Sequence, residues 1–195
     1  VYHVTALDQL IASALRKLLR DDSLDPAFRD LVLTLPSEGM LAEQMDVIDP
    51  QAIHLARRAL RRHLAHALRD DLVGIYHANH VSGSYSPDAA HAGRRALRNN
   101  ALGYLAELCD APGRALMQDQ LDGATNMTDR IAALAAMVNN DAPGTDAALH
   151  QFYVDFEDEA LVIDKWFSLQ AVAPAMTVAR VRELMRHPAF TLKNP

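Results

Sequence analysis

Residues 49–75 read DPQAIHLARRALRRHLAHALRDDLVGI. Within them Ile53, Ala56, Leu60, Leu64, Leu68, Leu72 and Ile75 recur at steps of three or four, which places all seven along one side of an α-helix; a half-buried strand would alternate at steps of two. Asp49 supplies a side-chain acceptor for the unpaired N–H groups of a first helical turn. Pro50 is tolerated directly after it because the N–H it lacks would have no intrahelical partner there. The spacing predicts one long helix from Asp49 to beyond Ile75.

The same pattern continues in both directions from this stretch. Toward the N-terminus, Thr5 with Asp8 three residues on starts a helix striped by Leu7, Leu10, Ile11, Ala14 and Leu18. Asp25-Pro26 opens a short helix, and Leu35-Pro36-Ser37-Glu38 ends it and caps another. Toward the C-terminus, the polar loop Ser82-Gly83-Ser84-Tyr85-Ser86-Pro87 interrupts the pattern. A helix from about Asp88 to Cys109 follows, with Leu97, Ala101, Leu105 and Leu108 facing inward. Joints near Ala111-Pro112-Gly113, Asp122-Gly123, Asp141-Ala142-Pro143-Gly144 and Ala173-Pro174 separate further helices. Those helices carry Leu116, Ile131 and Leu134, Leu149 and Phe152, Trp166 and Phe167, and Val181 and Leu184. Roughly ten helices joined by short turns predict an all-α fold of antiparallel helix pairs stacked as an α-solenoid of the ARM/HEAT superhelical kind. A compact irregular bundle is the alternative, since no residue-level repeat accompanies the spacing.

Composition limits the function classes. The chain has 195 residues and 21.5 kDa, 50% hydrophobic and 23% charged, which fits a single globular domain and neither a disordered tail nor a fibrous repeat. Aromatic residues are only 6%, with Ala and Leu prominent, which favours helix over sheet. The single cysteine, Cys109, excludes an internal disulfide and a Cys-rich zinc module and suits a reducing, cytoplasmic compartment. The net charge of −6 argues against nucleic acid as partner, and no apolar run is long enough to span a membrane. Charge is nonetheless uneven: residues 51–100 hold eight arginines against three aspartates and no glutamate. The opening Val1-Tyr2-His3, without Met, reads as a piece of a longer chain.

Nine histidines require a metal site to be considered. A zinc-peptidase helix places two His at i and i+4 around a Glu, so that both imidazoles and the general base share one face. No histidine pair here has that spacing; His63/His66 and His77/His80 stand at i and i+3 with no Glu near. Arg57, Arg58, Arg61 and Arg62 form a basic strip opposite the apolar stripe, fit for an interdomain contact or a carboxylate or phosphate partner. Arg94, Arg95 and Arg98 form a smaller cluster that reads as a solvated or interdomain face. Asp155, Glu157, Asp158, Glu159 and Asp164 lack the alternation and central Gly of a calcium loop and read as a charged turn. Cys109 has no nearby His, and phosphate-binding Gly loops and Gly-x-Ser-x-Gly elbows are absent. The expectation is that this chain supplies no catalytic and no metal-ligating residue of its own.

Several strings carry a resemblance. Leu35-Pro36-Ser37-Glu38, Asp46-Val47-Ile48-Asp49-Pro50, Leu97-Arg98-Asn99, Asn126-Met127-Thr128-Asp129, Asp164-Lys165-Trp166-Phe167-x-Leu169-Gln170-Ala171 and His187-Pro188-Ala189-Phe190 occur in the order found in the C-terminal helical domain of bacterial aminopeptidase N. The chain resembles that family of gluzincin-type zinc aminopeptidases over about residues 24–195. The resemblance implies one helical domain fragment, with residues 1–24 a lead-in helix and linker and 25–195 the superhelix, ending short of the domain's own C-terminal side. It implies that the catalytic domain and its zinc lie elsewhere in a parent chain that removes N-terminal residues from peptides. The helical domain would then enclose the active-site cavity and restrict access to it. Its partners would be the other domains of that chain and, through them, peptide substrates. The other reading is an autonomous α-solenoid interaction module that uses the Arg57–Arg62 strip.

The signature strings also have a local physical reading. Asn126 or Thr128 can cap a helix burying Ile131 and Leu134, with Asp129 favourable in its first turn. Trp166 and Phe167, being adjacent, predict one ring in the core and the other at a neighbouring interface, with Asp164 and Lys165 pairing to adjacent turns.

Overall fold

In the computed structural model, which describes residues 5–192, side-chain caps start most of the helices. Thr5, Asp25, Ser37, Asp49, Asp88, Asp110, Asn126 and Thr177 each accept a hydrogen bond from the backbone N–H three residues on, at 2.8–3.3 Å. Each bond satisfies one N–H group that a helix start otherwise leaves unpaired, which lets helices of modest length begin at defined residues. The helices are α1 Ala6–Leu19, α2 Pro26–Leu33, α3 Glu38–Ala42, α4 Pro50–Ala67, α5 Arg69–Ala78, α6 Ala89–Ala106, α7 Ala111–Gly123, α8 Met127–Asn139, α9 Thr145–Phe156, α10 Ala160–Ala171 and α11 Val178–Leu184. Among the described residues there is no strand. The predicted Phe190–Pro195 segment is described only to Leu192.

The fold is all-α, with neighbours in sequence packed as antiparallel pairs stacked into a solenoid. Helix α6 is its centre and packs against α2, α4, α5, α7 and α8. The first core cluster gathers Leu15 and Leu19 of α1, Leu33, Leu64, Leu68, Leu72 and the α6 residues Leu97, Ala101, Leu102, Tyr104 and Leu105. A second joins Leu134 and Val138 of α8, Leu149 and Phe152 of α9, and Trp166 of α10. Close approach of α2 to α6 depends on Gly93, where an added Cβ would lie 3.0 Å from the Ala27 backbone nitrogen.

Three sequence expectations are corrected. The long helix bends at Leu68, which leaves the helical region (φ −109°, ψ 14°) while the flanking bonds Leu68 N–H to Leu64 O (2.9 Å) and Leu72 N–H to Leu68 O (2.8 Å) persist. Arginines of α1 hold this bend: Arg16 donates to the Ala67 carbonyl, and Arg16 and Arg20 pair with Asp71 at 3.2 and 2.6 Å. In α1 the buried apolar residues are Ala12, Leu15 and Leu19, whereas Leu7 and Leu10 are 64% and 66% exposed. The helix is apolar on two sides, and contact with α2, α4 and α5 selects the side of Leu15 and Leu19; of the stripe Leu7, Leu10, Ile11, Ala14 and Leu18, only the half-buried Ile11 packs against this core. Ala111-Pro112-Gly113 is not a joint but the first turn of α7, because Asp110 caps it and Pro is tolerated there.

Candidate functional site

The basic strip on α4 borders a groove of about 480 Å³ that crosses α4, α6 and α8 and is closed at its margins by Glu38 of α3, His54, and Val172 and Pro174 after α10. Arg57, Arg58 and Arg61 line one wall; Asn99, Asn100, Gly103 and Glu107 of α6 line the middle; Ala132, Ala135, Ala136 and Asn139 of α8 line the far side. Arg62, the fourth member of the strip, is exposed and outside the groove. Arg57 and Arg61 are held in place by the fold. Arg57 Nε donates to the Pro36 carbonyl at 2.8 Å, and the Nε atoms of Arg61 and Arg58 lie 3.1 and 3.9 Å from Glu107. The Arg61 guanidinium also stacks over the Tyr104 ring at 4.1 Å from its centroid. Tyr104 is fully buried and donates to the Leu33 carbonyl at 2.6 Å. Burial pushes its hydroxyl above the ordinary tyrosine range, against the opposing pull of Arg61 and Arg57, so it remains a donor at neutral pH.

Beneath the groove, two of the signature strings meet in one polar network. Asp129 is 5% exposed, and its carboxylate accepts from Asn99 Nδ2 and Asn126 Nδ2, each at 2.9 Å. Arg98 Nη1 lies 3.7 Å from the same carboxylate, and Arg98 Nη2 donates to the Tyr76 hydroxyl at 2.9 Å with its guanidinium 4.5 Å from that ring's centroid. Gln120 donates to Asn99 Oδ1 at 2.7 Å and to the Asp129 carbonyl at 3.0 Å. Arg98-Asn99 on α6 and Asn126…Asp129 on α8 are thereby joined through α7's Gln120. Two atoms of the network, Arg98 Nε and Gln120 Oε1, are buried without a hydrogen-bond partner, so the network stabilises less than a closed one would.

Arg95 and Arg98 correct the expectation of a solvated basic cluster. Both are buried: Arg95 donates to the Ser86 carbonyl at 2.7 Å and stacks on Tyr85, and with Arg94, bonded to the carbonyls of Ala78 and His80, it fastens the 79–88 loop to α6. The signal for Arg98 was present in the sequence. The inward face of α6 is two residues wide, and Arg98 occupies the place beside Leu97 that Leu102 occupies beside Ala101.

The remaining predicted residues lie outside the lining of the groove. Asn126, not Thr128, caps α8, and Thr128 is exposed. Trp166 is buried and donates to the Leu149 carbonyl at 2.9 Å. Phe167 does not face a separate interface; it stacks edge-on against Trp166 and joins Tyr153, His187 and Phe190 in one aromatic cluster. Lys165 is exposed, and Asp164 is half-buried. The Asp155–Glu159 carboxylates span the α9–α10 turn, with Asp155 paired to Arg130 at 3.0 Å. Cys109 is exposed with φ +52° at the end of α6. Among the described residues no three of the His, Cys, Asp or Glu side chains are grouped to hold a metal ion. No helix of the described residues is long and apolar enough to cross a membrane.

The family model described as "Domain of unknown function (DUF3458_C) ARM repeats" matches residues 2–195. Aminopeptidase N of Escherichia coli K12 is 42% identical over 186 residues, covering 95% of this chain and 21% of that protein. Aminopeptidase N of Caulobacter vibrioides is 39% identical over 189 residues, 96% of this chain and 22% of that protein. The chain thus spans about a fifth of the length of the curated relatives it matches, in their C-terminal region. Among solved structures, Legionella pneumophila aminopeptidase A in complex with aspartic acid superposes with a TM-score of 0.84 at 28% identity, over 99% of this chain and 23% of that one.

Proposed function

This chain belongs to the DUF3458_C ARM-repeat family, and from that premise we propose that it is a non-catalytic helical domain of a zinc-dependent aminopeptidase. The observation that carries the reading is coverage: relatives named aminopeptidase N match this chain almost end to end with about a fifth of their own length. In this reading the parent chain removes N-terminal residues from peptides in the cytoplasm. Its zinc sits in a catalytic domain outside these 195 residues, which form one helical unit made of a lead-in helix with its linker and the superhelix from about residue 25. The solenoid encloses the active-site cavity and limits which substrates enter, acting by excluding water and bulk rather than by reacting. Arg57, Arg58, Arg61 and Arg62 are the proposed contacts to the other domains or to ligand. Asn126, Thr128, Asp129, Asp164, Lys165, Trp166 and Phe167 are proposed as structural signature residues that hold the helices in register.

Two measurements test it. The 195-residue chain supplemented with zinc is expected to leave an alanyl chromogenic substrate uncut, and hydrolysis by it would overturn the non-catalytic role. The reading frame upstream is expected to encode His-Glu-x-x-His on a helix; a frame without that zinc motif overturns the parent assignment.

A further inference from the structure

We propose that the groove between α4, α6 and α8 is a carboxylate-binding subsite, with Arg58 and Arg61 as its charged donors and Arg57 completing the wall. A pattern shared by Arg57 and Arg61 carries the inference. The fold engages both through Nε, Arg57 on the Pro36 carbonyl at 2.8 Å and Arg61 beside the Glu107 carboxylate at 3.1 Å, while Arg58 stands farther from the same carboxylate at 3.9 Å. Holding a guanidinium by its Nε leaves the two terminal nitrogens as a planar fork, the geometry that meets a carboxylate through two parallel N–H···O bonds.

Arg61 is fixed most tightly. Its guanidinium lies on Tyr104, whose own hydroxyl is tied to the Leu33 carbonyl, so the stacking surface does not move. It reaches that position by crossing Gly103, where an added Cβ would stand 2.8 Å from Arg61 Nη2. Any larger residue at 103 displaces the arginine. A donor immobilised before the ligand arrives loses little side-chain entropy on binding. The far side of the groove is built from small α8 side chains, Ala132, Ala135 and Ala136, with Val172 and Pro174 beyond them, which leave about 480 Å³ open, room for a short peptide end. Glu107 and Glu38, which also lines the groove, offset two of the three positive charges, so the arginine wall retains an excess of one in a chain whose net charge is −6.

An anion site follows from these contacts alone; that the anion is a peptide carboxylate rests on the peptidase reading above. The sources of carboxylate are a peptide's C-terminus and an acidic side chain. The test is titration of the ¹⁵N-labelled 195-residue chain, followed by NMR, with tetra-alanine, its C-terminal amide, the amidated tetrapeptide Ala-Ala-Glu-Ala and inorganic phosphate. Expected are shifts at Gly103 and Glu107 with tetra-alanine and none with its amide, and binding weakened about tenfold in Arg61→Gln. Saturation by the amidated glutamate peptide as well would support the site with a side-chain source. Gly103→Ala, which keeps every charge, is expected to weaken binding several-fold with an unchanged circular dichroism spectrum. Equal binding of acid and amide, binding of phosphate alone, no binding, or binding indifferent to Arg61→Gln and Gly103→Ala would each overturn the proposal. None of these readouts involves hydrolysis, so failure of the peptidase assignment shows in the upstream sequence and leaves this result separately readable.

Discussion

Replacing Asp129 by alanine removes three things at once from a site only 5% exposed: an acceptor for Asn99, an acceptor for Asn126 and the counter-charge of Arg98. Breaking a buried ion pair from one side costs about 3–5 kcal/mol, because the remaining charge stays buried without compensation. The Arg98–Asp129 separation of 3.7 Å is longer than a direct charge-assisted hydrogen bond, which puts the ionic part at the low end of that range. Two amide donors left unpaired add roughly 1 kcal/mol each where water cannot reach them, and both asparagines are only half-buried. The expected loss is about 3–4 kcal/mol, which in a chain of this length lowers Tm by roughly 6–16 °C. Arg98→Met is expected to cost somewhat less, since Tyr76 keeps its bond to the Leu116 carbonyl. The double variant should lose about 1–2 kcal/mol less than the sum of the single ones, because the second change removes a charge the first had already orphaned. Urea denaturation followed at 222 nm, with the m-value compared across variants, measures all three. A loss below about 1 kcal/mol for Asp129→Ala at unchanged m, or additivity within about 0.5 kcal/mol in the double variant, would refute the network as the link between α6 and α8.

The two faces of α1 predict opposite responses: Leu7→Glu and Leu10→Glu are expected to change stability by no more than about 0.5 kcal/mol, whereas Leu15→Ala costs about 2–4 kcal/mol, read from urea midpoints. Two glycines separate propensity from space. Gly74→Ala on α5, where an added Cβ meets nothing within 4 Å, is expected to stabilise by about 0.5–1 kcal/mol; Gly93→Ala, facing the Ala27 backbone, is expected to destabilise by about 1–3 kcal/mol in the same measurement. For pH, Asp110 is held below its ordinary value of 3.8 first by the Gly113 backbone N–H and also by Arg69, with burial opposing. A lowered folded-state value means its stabilisation is complete above 3.8 and is lost as pH falls through the lower folded value. Asp110→Asn keeps a capping oxygen but not the charge, so its stability deficit relative to the parent chain should be constant at neutral pH and vanish in strong acid; a deficit that grows on acidification would contradict the assignment.

Helix positions were legible because the interactions that set them are local. Thr5, Asp25, Ser37, Asp49, Asp88 and Asn126 cap through a bond spanning three residues, and the inward stripe Leu97, Ala101, Leu105, Leu108 needs only the helical period to be read. The sequence by itself therefore determined an all-α chain of capped helices in antiparallel pairs, and the order of its signature strings determined its family. Tertiary structure decided what periodicity leaves degenerate. The α1 stripe of Leu7 and Leu10 satisfies the same spacing as Leu15 and Leu19, and only contact with α2, α4 and α5 selects between them. The arginines divide the same way. Arg98 is buried because Asp129, thirty-one residues away, and Tyr76 meet it there, whereas Arg61 lies along a groove because Gly103 and Tyr104 on another helix leave it that path. Burying a charge is tolerated only where its partner stands, and the partner's position is a property of the packed helices, not of the residues adjacent in sequence.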